Sequence, residues 1–145
     1  MTFETHVRIS RPLDEVFAYV SEPLNFSDWN SAVLTVRKTS TAGNGVGSTY
    51  VIERELPTGR AINRLDVVAT DAPREFAIRA SAGPTPFLYR YRFSSDDCET
   101  VVRLDAEVEL PGAVAFVPRL ARRSVKSGVD ADLAALKRIL ELGGR

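Results

Sequence analysis

The sequence predicts an α+β protein in which a curved antiparallel sheet of about seven strands wraps around one long C-terminal helix. Three features carry this prediction. Val117 to Leu142 repeats its apolar residues with a helical period. From Val33 to Leu110 the period is 2 instead, and the runs are separated by short turns rich in Gly, Pro and Asp. The face that this alternation makes apolar is also aromatic, so it needs a cover as long as the sheet is wide.

Taken in order, Phe3 to Ser10 alternates Phe, Thr, Val and Ile with Glu, His, Arg and Ser, the pattern of a half-buried strand. A short helix follows, with Ser10 available as a cap, Pro12 in the first turn, and Val16, Phe17 and Val20 on its buried face. Glu22-Pro23 breaks it, and Leu24 to Trp29 forms a second short helical piece ended by Asn30-Ser31. Strands then span Val33–Lys38, Ser48–Leu56, Arg60–Thr70, Glu75–Ala82, Phe87–Ser94 and Thr100–Leu110. Their connections are short enough for consecutive strands to pair as a meander.

Parity assigns the inner face. Val102, Leu104, Ala106, Val108 and Leu110 oppose Arg103, Asp105, Glu107 and Glu109. Phe87, Tyr89, Tyr91 and Phe93 oppose Leu88, Arg90, Arg92 and Ser94, while Phe76, Ile78 and Ala80 line the neighbouring strand. Tyr50, Ile52 and Arg54 share one parity, as do Asn63, Leu65 and Val67.

The long helix spans about 26 residues, or ~39 Å at 1.5 Å per residue. Pro118 suits its first turn and Gly143-Gly144 its end. Projected at about 100° per residue, Val117, Ala121, Ser124, Val125, Gly128, Ala135, Leu136 and Ile139 share a face. Ala121, Ser124 and Gly128, followed by Asp132, are small or charged where a core-filling helix would carry Leu or Ile. Such a stripe suits a helix that covers a space, or else one that sits close to the sheet with Gly128 bending it.

Length and composition set the bounds. At 145 residues the whole chain is expected to form one domain. Hydrophobic content of 44% and charged content of 26% are those of a globular protein. Nineteen basic residues balance nineteen acidic ones, so no overall field recruits nucleic acid, and no partner of that kind is expected. No apolar run resembles a signal peptide or a membrane span, which points to a cytoplasmic protein, monomer or homodimer, without stable membrane insertion. Cys98, the only cysteine, lies in the polar Asp96–Glu99 turn and forms no internal disulfide.

The order of elements resembles the helix-grip fold of the START/Bet v 1-like (SRPBCC) superfamily, and more narrowly its polyketide cyclase/dehydrase and lipid-transport group. The residues that carry the likeness are Ile9-Ser-Arg-Pro-Leu-Asp-Glu-Val-Phe17, Glu22-Pro23 through Asp28-Trp29, Gly47-Ser-Thr-Tyr50 and Leu136-Lys-Arg-Ile-Leu-Glu141. The likeness covers essentially the whole chain. It implies a hydrophobic pocket for a lipid-, polyketide- or aromatic-type ligand, and identifies no reaction, because the scaffold serves carriers, sensors and enzymes alike.

Candidate chemistry is sparse. His6, the only histidine, falls on the outer face with Glu4 and Arg8, which removes the usual general base. No metal site and no cofactor are expected. The Gly43–Gly47 loop joins two strands and opens no helix, so it lacks the geometry of a phosphate loop. Arg54 either lies at a sheet edge with its head in solvent or, on an inner face, needs a partner, for which Asp132 is the one to propose unless a kink at Gly128 turns it to the surface. Tyr89 and Tyr91 either offer hydroxyls to a ligand on an apolar wall or are core residues with satisfied hydroxyls, and Phe26 and Trp29 fall near the mouth, where packing is the ordinary alternative for Trp29. Arg119, Arg122, Arg123 and Lys126 form a basic run, either a solvated face or an attractor for an anionic surface. The expected ligand-contacting set is therefore Phe26, Trp29, Tyr50, Arg54, Asn63, Phe76, Tyr89, Tyr91, Ala121, Ser124, Gly128 and Asp132. Sequestering or carrying a hydrophobic molecule is the leading function, and an aromatase/cyclase-like enzyme using Arg54, Tyr89, Tyr91 or Asp132 is the alternative.

Overall fold

The computed structural model describes residues 1–41, 43, 45–56, 59–109 and 118–143, with side chains given from 122 onward in the last segment. The element order is β1 (Thr2–Ile9), α1 (Leu13–Val20), a 3-10 turn (Pro23–Asn25), α2 (Phe26–Trp29), β2 (Val33–Lys38), β3 (Thr49–Leu56), β4 (Gly59–Asp71), β5 (Glu75–Ser81), β6 (Phe87–Asp96), β7 (Glu99–Val108) and α3 (Pro118–Gly143). All seven strands form one curved antiparallel sheet in the order β1-β7-β6-β5-β4-β3-β2. Only β1 leaves its sequence neighbour, because α1 and α2 carry the chain from one edge of the sheet to the other.

Pairing follows the parity of the sequence. Phe87, Tyr89, Tyr91 and Phe93 stand opposite Val108, Ala106, Leu104 and Val102 across β6 and β7. Across β3 and β4, Ile52 pairs with Asn63 and Tyr50 with Leu65. A register shift between Val67 and Ala69 re-sets β4 against β5. The apolar residues of this face join Val16, Phe17 and Val20 of α1 and Leu133, Leu136 and Leu140 of α3 in one buried cluster. Arg103 and Glu107 of β7 and His6 of β1 are not buried in it, as their outward parity requires.

One local expectation changes. Ser10 does not cap α1, whose N-cap is Pro12 without a side-chain bond. Instead the Ser10 backbone N–H donates to Glu141 Oε2 at 2.8 Å and its hydroxyl to Glu99, tying the end of β1 to α3 and to the start of β7. Leu110 and Val117, expected at the end of the last strand and the start of the long helix, lie outside the described residues.

The larger correction concerns α3. Its buried positions are Asp132, Leu133, Leu136 and Leu140, with Val125 and Val129 half-buried, whereas Ser124 and Gly128 are exposed. Of the expected face, Val125, Ala135, Leu136 and Ile139 do pack in or against the core, and the buried stripe extends beyond them to Val129, Leu133 and Leu140. Leu133 and Leu140 bury more apolar area than the small residues do, so the helix turns them inward. A Cβ built on Gly128 would meet nothing within 4 Å. The side chain of Ala121 is outside the described residues. The described part of the buried face is thus an aliphatic stripe with one carboxylate in it, and it packs on β1 and α2.

Candidate functional site

The inner face carries aromatic rings in contact. Phe76 stacks on Tyr91 at 6.5 Å, Tyr91 meets Tyr89 edge-on at 6.3 Å, and Tyr89 stacks on Phe87 at 4.1 Å. From α2, Trp29 meets Tyr91 edge-on at 6.2 Å and Phe26 meets Trp29 at 5.7 Å. The wall therefore runs from α2 across β5 and β6 as one aromatic layer. Phe26, Trp29, Tyr50, Phe76 and Tyr91 are all buried, and Tyr89 is half-buried.

At one end of the wall stands Arg54, buried at 7% exposure. Its Nε and Nη2 donate to Asn63 Oδ1 at 3.0 and 2.7 Å, and Nη2 also donates to the carbonyls of Pro84 and Thr85 at 2.9 and 3.0 Å. Its guanidinium lies over the Phe87 ring at 5.2 Å. Asn63 completes the clamp by donating through Nδ2 to Pro84 O at 3.2 Å and Ser81 O at 3.4 Å. Residues 82–86 are thereby held down on the sheet. The approach is so close that a Cβ on Gly83 would collide with the Ile62 carbonyl oxygen and sit 2.7 Å from Asn63 Nδ2. Ala82 and Thr85 take left-handed backbone, with φ of 50° and 53°, to turn the chain there.

The expected Arg54–Asp132 ion pair does not form. Among the described residues Arg54 has no carboxylate partner, only neutral oxygens. Asp132 instead accepts from the backbone N–H of Ser31 at 3.0 Å and from its hydroxyl at 2.9 Å, pinning α3 to the segment after α2. Arg54 hangs from β3 over β4 and the β5–β6 turn, so carbonyls reach it first. No sequence signal marks a backbone oxygen as a partner, and Ser31 read only as a helix terminator.

Burial governs the ionisable groups here. Desolvation pushes the Tyr89 hydroxyl up to about 12, against the lowering effect of the Arg54 charge, and the Asp132 charge adds to the rise. Burial also drives Tyr91 well up, with Tyr89 and Asp132 contributing, and lowers Arg54. The Asp132 carboxyl is raised by burial, partly offset by the two Ser31 hydrogen bonds. Asp132, Tyr89 and Tyr91 thus lie within electrostatic reach of one another, as do Tyr89 and Arg54. Among the described residues the buried Trp29 Nε1 has no hydrogen-bond partner.

Two concavities border this region. One of about 550 Å³ opens at the end of the sheet, where Ala80, Ala82, Pro86, Phe87 and Val108 line it. The other, about 560 Å³, lies between α1 and the end of α3 around Tyr19, Asn25, Ile139 and Leu140. Neither is lined by the tyrosines of the wall. Of the remaining candidates, Cys98, Arg122, Arg123 and Lys126 are exposed, and Lys126 pairs with Asp130 at 3.0 Å. Among the described residues no three His, Cys, Asp or Glu side chains are grouped to hold a metal ion, and no helix is long and apolar enough to cross a membrane.

A bent antiparallel sheet that carries an aromatic, partly polar inner wall and packs its edge strand and α2 against a long terminal helix defines the START-like class of folds. The chain belongs to the polyketide cyclase/dehydrase and lipid transport family, whose model matches residues 1–141. No curated protein matches it by sequence. Among solved structures it is similar to TTHA0849 from Thermus thermophilus, at 12% identity over 100% of both chains with a TM-score of 0.80. It is likewise similar to a START superfamily protein from Mycobacterium smegmatis, at 16% identity over 97% of each chain and a TM-score of 0.77. The Zhui aromatase/cyclase from Streptomyces sp. R1128 is 18% identical over 100% of this chain and 96% of its own, with a TM-score of 0.74. At such identities the likeness is one of fold.

Proposed function

We propose that the chain binds a hydrophobic small molecule, of lipid, polyketide or aromatic type, between the inner wall of the sheet and α3. The observation that carries this is the aromatic wall itself, which sets the hydroxyls of Tyr89 and Tyr91 among apolar rings between the buried cation Arg54 and the buried carboxylate Asp132. A ligand with an apolar body and a few oxygen atoms fits both halves of the wall. Native mass spectrometry of protein purified from its host tests the proposal. A retained small molecule displaced by Tyr89→Trp is the expected result, and a ligand-free protein that takes up no added aromatic or acyl compound refutes it.

One arrangement favours a second reading, an aromatase/cyclase-like enzyme. Tyr89 has a raised hydroxyl pKa and stands in the field of the Arg54 charge, which suits a proton donor to an enolate formed nearby. Cyclised product from a poly-β-ketone analogue, lost in Tyr89→Phe with binding retained, would favour catalysis over carriage.

A further inference from the structure

We propose that the indole N–H of Trp29 is the donor that recognises a neutral carbonyl-type oxygen of the ligand, such as that of an aryl ketone or a quinone. This deepens the binding role above and rests on it. Trp29 is 4% exposed, yet its Nε1 has no hydrogen-bond partner among the described residues, and no other fully buried side-chain polar atom there is in that position. A buried donor left unpaired forfeits the hydrogen bond it would make in water, and native proteins keep few of them.

The orphan is not a by-product of a distorted segment. Around it, Asn30 N–H donates to Phe26 O at 2.8 Å, Ser31 N–H to Asp132, Ala32 N–H to Asn30 Oδ1 at 3.2 Å, and Val33 N–H to Asn30 O at 3.0 Å. The backbone donors that follow it are satisfied, and the indole is not. The ring is also fixed, wedged edge-on between Phe26 and Tyr91. It therefore stands on the same wall as Tyr89 and Tyr91.

An indole N–H is a neutral donor with no acceptor capacity. It rewards a ligand oxygen with a hydrogen bond that the free protein lacks, gives a carboxylate less than a cation would, and gives a hydrocarbon nothing. A site built to hydrogen-bond one atom discriminates against the analogue lacking that atom. Trp29 thus selects by chemistry where the rings around it select by shape.

The test uses two tricyclic probes of matched shape, 9-fluorenone with a carbonyl and fluorene without. Trp29 is the only tryptophan, so ¹⁵N-labelled protein gives a single indole resonance. Fluorenone should move that resonance downfield while fluorene does not. The fluorenone-to-fluorene affinity ratio should fall about tenfold in Trp29→Phe, the equivalent of ~1.4 kcal/mol. An indole resonance indifferent to bound fluorenone, or an unchanged ratio in Trp29→Phe, overturns the inference while leaving the pocket intact. Binding of neither probe by the unaltered protein overturns the pocket and this inference together. The resonance measurement needs no variant, so it decides the matter even if Trp29→Phe fails to fold.

Discussion

Replacing Asn63 by alanine should destabilise the protein by about 3 kcal/mol, through the buried cation it leaves behind. Asn63 Oδ1 accepts two of the four hydrogen bonds made by the Arg54 guanidinium, at 3.0 and 2.7 Å, and the other two go to Pro84 and Thr85. A hydrogen bond to a charged group is worth ~1.5–3 kcal/mol, but bonds at one guanidinium are not additive, so the lower end of the doubled figure applies. Arg54→Met should cost less, about 2 kcal/mol, because it removes the buried charge along with its bonds. The double variant should then fall short of the sum by ~2 kcal/mol, a coupling expected of residues in contact. Arg54→Met combined with Asp132→Asn should be additive within about 0.5 kcal/mol, since the two side chains serve different partners. Guanidinium unfolding followed by Trp29 fluorescence measures all of these as shifts in midpoint at constant m. Additivity at 54 and 63, or strong coupling between 54 and 132, would refute the reasoning.

Three further outcomes follow from the same geometry. Asp132 has a raised carboxyl pKa, so its stabilising share is complete while it is protonated and is lost as pH rises through the raised value. Asp132→Asn should therefore be more stable than the parent at neutral pH, and that advantage should vanish in acid, as thermal melts from pH 3 to 7 would reveal. Gly83→Ala should cost about 2 kcal/mol by pushing residues 82–86 off Arg54 and Asn63, measurable as a lower unfolding midpoint. Gly128→Ala should add ~0.5–1 kcal/mol, because the position is an exposed helix interior with open space around it; a loss of stability would mean that the glycine is needed for a bend.

The strands were legible because period-2 alternation and burial on one face are the same fact seen twice. In β7, Val102, Leu104, Ala106 and Val108 are buried while Arg103 and Glu107 are exposed. The face of α3 was harder. A helix with Val125, Val129, Leu133, Leu136 and Leu140 on one side and Ala121, Ser124 and Gly128 on the next offers two plausible stripes, and burial of the larger chains decides between them. Arg54 was recognisable as buried, but its partners were not, because backbone carbonyls carry no residue-type signature. The aromatic wall was legible from parity. That Trp29 would be left with an unpaired N–H was not, since satisfaction is a property of three-dimensional neighbours.

The fastenings of α3 fall between Asp130 and Glu141. They comprise Asp130 with Thr5, Asp132 with Ser31, Lys137 with the Arg8 carbonyl at 2.7 Å, Glu141 with Ser10, and the three buried leucines. Upstream, Arg122, Arg123, Ser124, Lys126, Ser127 and Gly128 face water. Polar anchors thus hold the rod by its second half, while from 122 to 129 it meets the core through Val125 and Val129. Substitutions at the exposed positions of those turns carry little risk to the remainder of the molecule, whereas a change at the leucines two turns later disturbs the core.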